Sequence, residues 1–225
     1  MQAGMVLGIL TAVIALIVLS AVRRMRALKA AQKQLLEQNG FSPCDAEARH
    51  LEEIVRSLRG SSRLRVRRPW KRASMRGGDV YWYELSAGNQ DESASEEFLF
   101  SLRRSSSEPF LLYLRPPMLR KGLGSRLMEK LLTVTAPRRL HKLDLSDDTK
   151  SDALLAAFGP RDSSLHELVD ADKLAVLAQG ACHGVFAVRG AGDHCALELH
   201  RTHARKAVEH GGWLDTWSFV QRVTV

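Results

Sequence analysis

The chain has 225 residues and a formal net charge of +8, with 45% hydrophobic residues, four Trp and seven Phe. Such a composition excludes an intrinsically disordered chain, and the roughly 185 residues beyond the first 40 suit one ordinary domain with a full core. Cys44, Cys182 and Cys195 are odd in number and widely spaced with no C-x-x-C, which excludes a disulfide framework and predicts reduced, mostly buried thiols.

Residues 3–22 carry no charge, and Thr11 and Ser20 are their only polar side chains. At about 1.5 Å per residue such a helix reaches across a hydrocarbon core about 30 Å thick, so a membrane-spanning anchor is predicted. No Lys or Arg precedes the run, whereas Arg23, Arg24, Arg26, Lys29 and Lys33 follow it. A cleaved signal peptide would carry its basic residues in front. The positive-inside rule therefore places the N-terminus outside and the rest of the chain on the cytoplasmic side of a bacterial-type inner membrane, with membrane lipids as partners. Gly4, Gly8 and Ala12 make a small-residue stripe along which two copies can approach as a homodimer.

Residues 23–40 continue in helical composition to Gly40, which sits where a left-handed cap is wanted, and read as a juxtamembrane stalk. The predicted organisation is an anchor over 1–22, a stalk over 23–40 and a cytoplasmic domain over 41–225.

That domain opens with Ser42 as an N-cap and Pro43 at the first helical position. Leu51, Ile54, Val55 and Leu58 then share one face of a helix that ends near Gly60. The period next changes from 3.6 to 2. Residues 62–68 alternate, with Arg63, Arg65 and Arg67 opposite Leu64 and Val66, and predict a half-exposed strand. Residues 79–86, 96–102 and 110–115 predict three more strands of an antiparallel meander, with 87–95 as a loop tip. Pro116 and Pro117 stop the fourth strand. Residues 125–132 read as a helix with Leu127, Leu131 and Leu132 inward, and 140–145 as a short strand. Residues 150–158 and 163–179 read as helices divided by Gly159-Pro160. Residues 185–189 and 194–199 predict a hairpin, 201–210 a helix, and 213–225 a final strand whose Trp213, Leu214, Trp217 and Phe219 pack on the core. The predicted fold class is α+β: an N-terminal transmembrane helix followed by one mixed or antiparallel sheet with flanking helices.

Arg63, Arg65, Arg67, Arg68, Lys71, Arg72 and Arg76 fall in a stretch without acid, with Trp70 among them. On one strand and its loop they can collect phosphates. Beside an acidic leaflet each basic residue contributes about 1 kcal/mol, which makes anionic lipid the simplest partner. The alternative is a solvated face partly paired with Glu84, Asp91, Glu92, Glu96 and Glu97. No recognisable nucleic-acid module accompanies the run.

Residues 112–128, Leu-Tyr-Leu-Arg-Pro-Pro-Met-Leu-Arg-Lys-Gly-Leu-Gly-Ser-Arg-Leu-Met, carry a strand into a glycine-containing loop that opens a helix. This resembles motif A of the GNAT acetyltransferase superfamily. The resemblance implies an acyl-CoA-dependent N-acyltransferase with acetyl-CoA as cofactor. Gly122 and Gly124 would cradle the pyrophosphate at the helix N-terminus, helped by Arg120, Lys121 and Arg126. A splayed parallel strand pair beside Gly122 would admit the cofactor, and Glu84 is the positional candidate for a base. From the residues alone, the same segment is a turn between strand and helix that needs no ligand.

Cys182, His183, His194, Cys195, His200, His203 and His210 crowd the last third without a recognised ligand spacing. Cys195 shares an alternating face with Val185, Leu197 and Leu199, so a core position is predicted rather than a metal site. With no catalytic constellation, the leading reading is a membrane-proximal binding or scaffold module with a protein partner and no cofactor. Acyl transfer is the alternative.

Overall fold

The computed structural model describes residues 2–61, 63–73, 78–87, 95–102, 107–115, 123–135, 137, 139–145, 154–199 and 213–224. They divide into two compact units, Met1–Gly40 and Phe41–Val225.

The first unit is helix α1 (Gln2–Gln38), which runs unbroken through the expected junction between anchor and stalk. No Pro interrupts it, and its second half is rich in Ala, Leu, Gln and Lys, all good helix formers. It ends where the Asn39 side chain donates to the Leu35 carbonyl at 2.8 Å and Gly40 turns left-handed at φ 76°. The expectation of a transmembrane helix over residues 3–22 is overturned: among the described residues no helix is long and apolar enough to cross a membrane. Arg23, Arg24, Arg26 and Lys29 follow directly on the same helix. Single-pass topology and inner-membrane placement with a cytoplasmic domain fall with that helix. The stripe Gly4, Gly8 and Ala12 occupies positions whose side-chain surroundings lie outside the described residues.

The second unit is built on one nine-stranded sheet. Its strands are β1 (Ser42–Pro43), β2 (Leu64–Ala73), β3 (Asp79–Ala87), β4 (Ser95–Ser101), β5 (Phe110–Leu114), β6 (His141–Lys142), β7 (Leu154–Gly159), β8 (Val185–Ala191) and β9 (His194–Leu199). Their spatial order is β1-β2-β3-β4-β9-β8-β5-β7-β6, with each neighbouring pair antiparallel. The β8–β9 hairpin, turning at Gly192-Asp193, thus joins the meander β1–β4 to the other half of the sheet. Among the described residues the α-helices of this unit are α2 (Ala48–Arg59), α3 (Leu123–Thr135), α4 (Leu165–Leu168), α5 (Ala171–Ala178) and α6 (Trp213–Thr224).

Cross-strand registers align Tyr83, Glu97, Glu198, Ala187, Tyr113 and Ala156 in one row through β3, β4, β9, β8, β5 and β7. Successive side chains in a strand alternate faces, so this row and the parallel row Leu99, Ala196, Arg189, Leu111 and Phe158 share one side of the sheet. Leu51 and Val55 of α2 close that side over Val66, Tyr83, Leu85 and Leu99, and Leu132 of α3 closes it over Leu111, Tyr113 and Phe158. On the opposite face Phe98 meets Trp217 of α6 with ring centroids 6.0 Å apart, and Phe41 meets Trp217 edge-on at 4.9 Å.

Both sheet edges are blunted. Beyond its two pairs with β1, strand β2 turns its outward backbone groups to α2. The Val66 N–H donates to Glu52 Oε1 at 3.2 Å, and Arg56 Nη2 donates to the Leu64 carbonyl at 3.2 Å. Glu52 and Arg56 are themselves paired at 2.8 Å one helical turn apart. The far edge, β6, has two residues. Short or plugged edges of this kind block pairing with another chain.

Four further expectations are corrected. Ser42 and Pro43 do not start a helix but pair with Lys71 and Trp70, and α2 begins only at Ala48. Residues 154–158, expected as helix, belong to β7, which is buried along its whole length. An apolar run covered on both faces loses the alternation that marks a strand. Trp213–Thr224, expected as strand, is α6: Thr216, Trp217, Phe219, Val220 and Val223 are buried while Asp215, Ser218 and Arg222 are exposed, a helical period. In α3, Leu132 points inward but Leu127 and Leu131 are 63% and 54% exposed. The expected helix over 201–210 and most of the loop 87–95 lie outside the described residues.

Candidate functional site

Arg59 stands one turn after Val55 and two after Leu51, on the buried stripe of α2. Gly60 stops the helix in a left-handed cap at φ 63°, its N–H donating to the Arg56 carbonyl at 2.8 Å. A guanidinium is thereby carried into the sheet. It pairs with Glu97 and, at 2.8 Å, with Glu198, and Arg189 reaches the same Glu198 oxygen at 3.2 Å. The Tyr83 hydroxyl donates to Glu97 Oε2 at 2.8 Å. Burial works against the Arg59 charge, but the two carboxylates outweigh it and hold its pKa above the ordinary value. Burial first, and then the Glu97 charge, push the Tyr83 hydroxyl well up, so it remains a donor.

N-terminal to this network, the same helix walls an open cleft of about 250 Å3 against the β8–β9 hairpin. His50, Glu53, Ile54 and Leu58 come from α2, and His194 opens the far wall at the start of β9. Burial holds the His194 imidazole below its ordinary pKa; neighbouring His50 acts in the same direction and Asp193 opposes it. Glu53 makes no ion pair with any described residue. The cleft is smaller than most small-molecule pockets and has room for one side chain or fragment.

The basic run divides. Arg68 sits in a β-bulge at φ 48° and pairs with Glu84, which is buried. Lys71 pairs with Glu47 at 3.1 Å and with Asp79 at 2.9 Å, and these contacts raise its pKa. Arg72 lies over the Trp217 ring at 5.0 Å, and Arg67 is half-buried with a partner of its own. Arg63 and Arg65 are exposed. Arg76 lies outside the described residues.

Of the residues that the acetyltransferase resemblance brings in, Arg120, Lys121 and Gly122 lie outside the described residues, and Gly124 and Arg126 fall in the first turn of α3 without described side chains. The strand leading to them, β5, is buried throughout and pairs antiparallel with β7 on one side and β8 on the other. Glu84, the positional base, is tied to Arg68. Cys195 is buried in the core and Cys182 exposed, while His200, His203 and His210 lie outside the described residues. Among the described residues no group of three His, Cys, Asp or Glu is placed to hold a metal ion.

Sequence reasoning grouped Glu97 with acids facing the basic strand and missed Arg59, Glu198 and Arg189. One signal was present: Arg59 continues the Leu51 and Val55 stripe, an arginine on an apolar helix face that calls for a buried acid.

No family model matches the chain, and no curated protein matches it. Among solved structures it is similar to the mycobacterial trehalose monomycolate transport factor A, TtfA, at 11% identity and a TM-score of 0.48, over 88% of this chain and 94% of that one. At that distance the likeness carries no inference about partner or activity.

Proposed function

We propose that the Phe41–Val225 unit is a binding module that engages, through Arg63 and Arg65, a partner surface carrying closely spaced phosphate or carboxylate groups. One observation carries this reading. Arg68, Lys71 and Arg72 are engaged within the unit, whereas Arg63 and Arg65 are exposed and form no ion pair with any described residue. Arginines at this spacing stand about 7 Å apart and present planar forks suited to oxyanions. Acid–base chemistry has less support, since the buried carboxylates Glu84 and Glu97 and the half-buried Glu198 are each held by arginine.

The test is affinity for inorganic polyphosphate. Replacing Arg63 and Arg65 by Ser should weaken binding more than about tenfold, two charge-assisted contacts being lost. Replacing exposed Arg139 and Arg161 by Ser removes the same net charge and should leave binding near wild type. Equal losses in the two variants would reduce the effect to bulk charge and end the reading. Acetyl-CoA should leave Tm unchanged; a saturable rise would favour acyl transfer instead.

A further inference from the structure

The cleft between α2 and the β8–β9 hairpin presents a chemistry opposite to that of the basic strand. In a chain of net charge +8, its α2 wall carries Glu53, a carboxylate without an ion pair among the described residues. The opposite wall carries His194, whose imidazole burial holds in the neutral form, with Asp193 close enough to act on it. His50 stands at the mouth, exposed on the first turn of the helix. Ile54 and Leu58, one turn apart, make the apolar strip between the polar groups.

We propose that this cleft takes the lysine side chain of a partner polypeptide. An ammonium has three donors and no acceptor, and the cleft offers separate acceptors on two walls, the Glu53 carboxylate and the His194 imidazole. The methylene stem lies along Ile54 and Leu58 while the charged head stays at the polar rim. A planar guanidinium, by contrast, is best met by one carboxylate squarely in its own plane with both oxygens free, and gains less from acceptors spread over two walls. The volume of about 250 Å3 admits one such side chain and little more. The inference does not depend on Arg63 and Arg65, and the two sites fail or stand separately.

The experiment follows the imidazole resonances of His50 and His194 in the full chain at pH 7.5 as acetyl-Gly-Lys-Gly-amide is added, with norleucine and arginine peptides and n-butylammonium as comparators. The lysine peptide should move both resonances saturably. The norleucine peptide and the Glu53→Gln variant should each be weaker by about tenfold, the loss of one charge-assisted contact. Glu53 is exposed, so Glu53→Gln should keep the wild-type Tm, which is checked in the same samples. Equal response to norleucine, undiminished binding by Glu53→Gln, or no saturable shift would overturn the proposal. Tighter arginine binding would overturn the choice of lysine, and binding of butylammonium alone would reassign the cleft to free amines.

Discussion

Glu97 of β4 and Glu198 of β9 stand directly opposite one another across an antiparallel pair, and Arg59 of α2 closes the gap, 2.8 Å from Glu198 and paired with Glu97. Like charges in such positions repel. The sheet can hold this register only because a helix delivers the counter-charge from outside it and Arg189 adds a second at 3.2 Å from Glu198. Removing Arg59 leaves the buried Glu97 and the half-buried Glu198 short of a cation. Arg59→Ala should therefore lower the unfolding free energy by about 3–5 kcal/mol. Adding Glu97→Gln should recover part of the loss. Urea denaturation reads both, and a single-variant loss below about 1 kcal/mol would show that Arg189 alone suffices.

Gly190 pairs with Phe110, whose ring lies where a Cβ at Gly190 would stand. Gly190→Ala should cost about 1–3 kcal/mol through forced displacement of that ring. Combining it with Phe110→Leu should give less than the sum of the single losses, because the two changes share one clash. Strict additivity in thermal or urea unfolding would contradict the contact.

The Glu52 and Arg56 side chains occupy the outward hydrogen-bonding groups of β2. Replacing both by Ala should change global stability by only about 1 kcal/mol, since the pair is partly exposed. It should nonetheless raise self-association, visible as light scattering under native conditions, because it frees a strand edge. Scattering equal to wild type would mean that the plug is dispensable.

His194 is held below its ordinary value of 6.5 by burial, reinforced by His50. The unfolded chain takes up that proton first as pH falls. Stability from this site is therefore full above about pH 6.5, declines through the window between the unfolded and the lower folded value, and falls no further beneath it. A histidine-resolved NMR titration should place the His194 midpoint below 6.5. His50→Gln should raise that midpoint and Asp193→Asn lower it; the reverse order would contradict the assigned neighbours.

Where one face of an element is buried and the other wet, its type was legible from residue order alone. Leu64 and Val66 alternate with arginines and make β2; Leu51, Val55 and Leu58 recur at helical spacing and make α2. Legibility ends where both faces are covered. The run Leu154–Gly159 is buried throughout and carries no alternation, so its alanines read as helix. In α6 the aromatic and β-branched residues argue for strand, and only the packing of Trp217, Phe219 and Val220 overrides that preference. The membrane reading rested on the uncharged run 3–22, and among the described residues no helix is long and apolar enough to bear it out. For the site, charge showed where the arginines lie in sequence but not which are consumed. That depends on Glu84, Glu47, Asp79 and Trp217 arriving from other elements.

The most direct test of the anion-binding account is the salt dependence of polyphosphate affinity. Two arginines in contact with phosphate make the slope of log K against log salt shallower by about 1.5–2 when both are removed. The account predicts that difference between the full chain and its Arg63→Ser, Arg65→Ser variant, and no change for the Arg139→Ser, Arg161→Ser control. Parallel lines for wild type and the Arg63, Arg65 variant would contradict it.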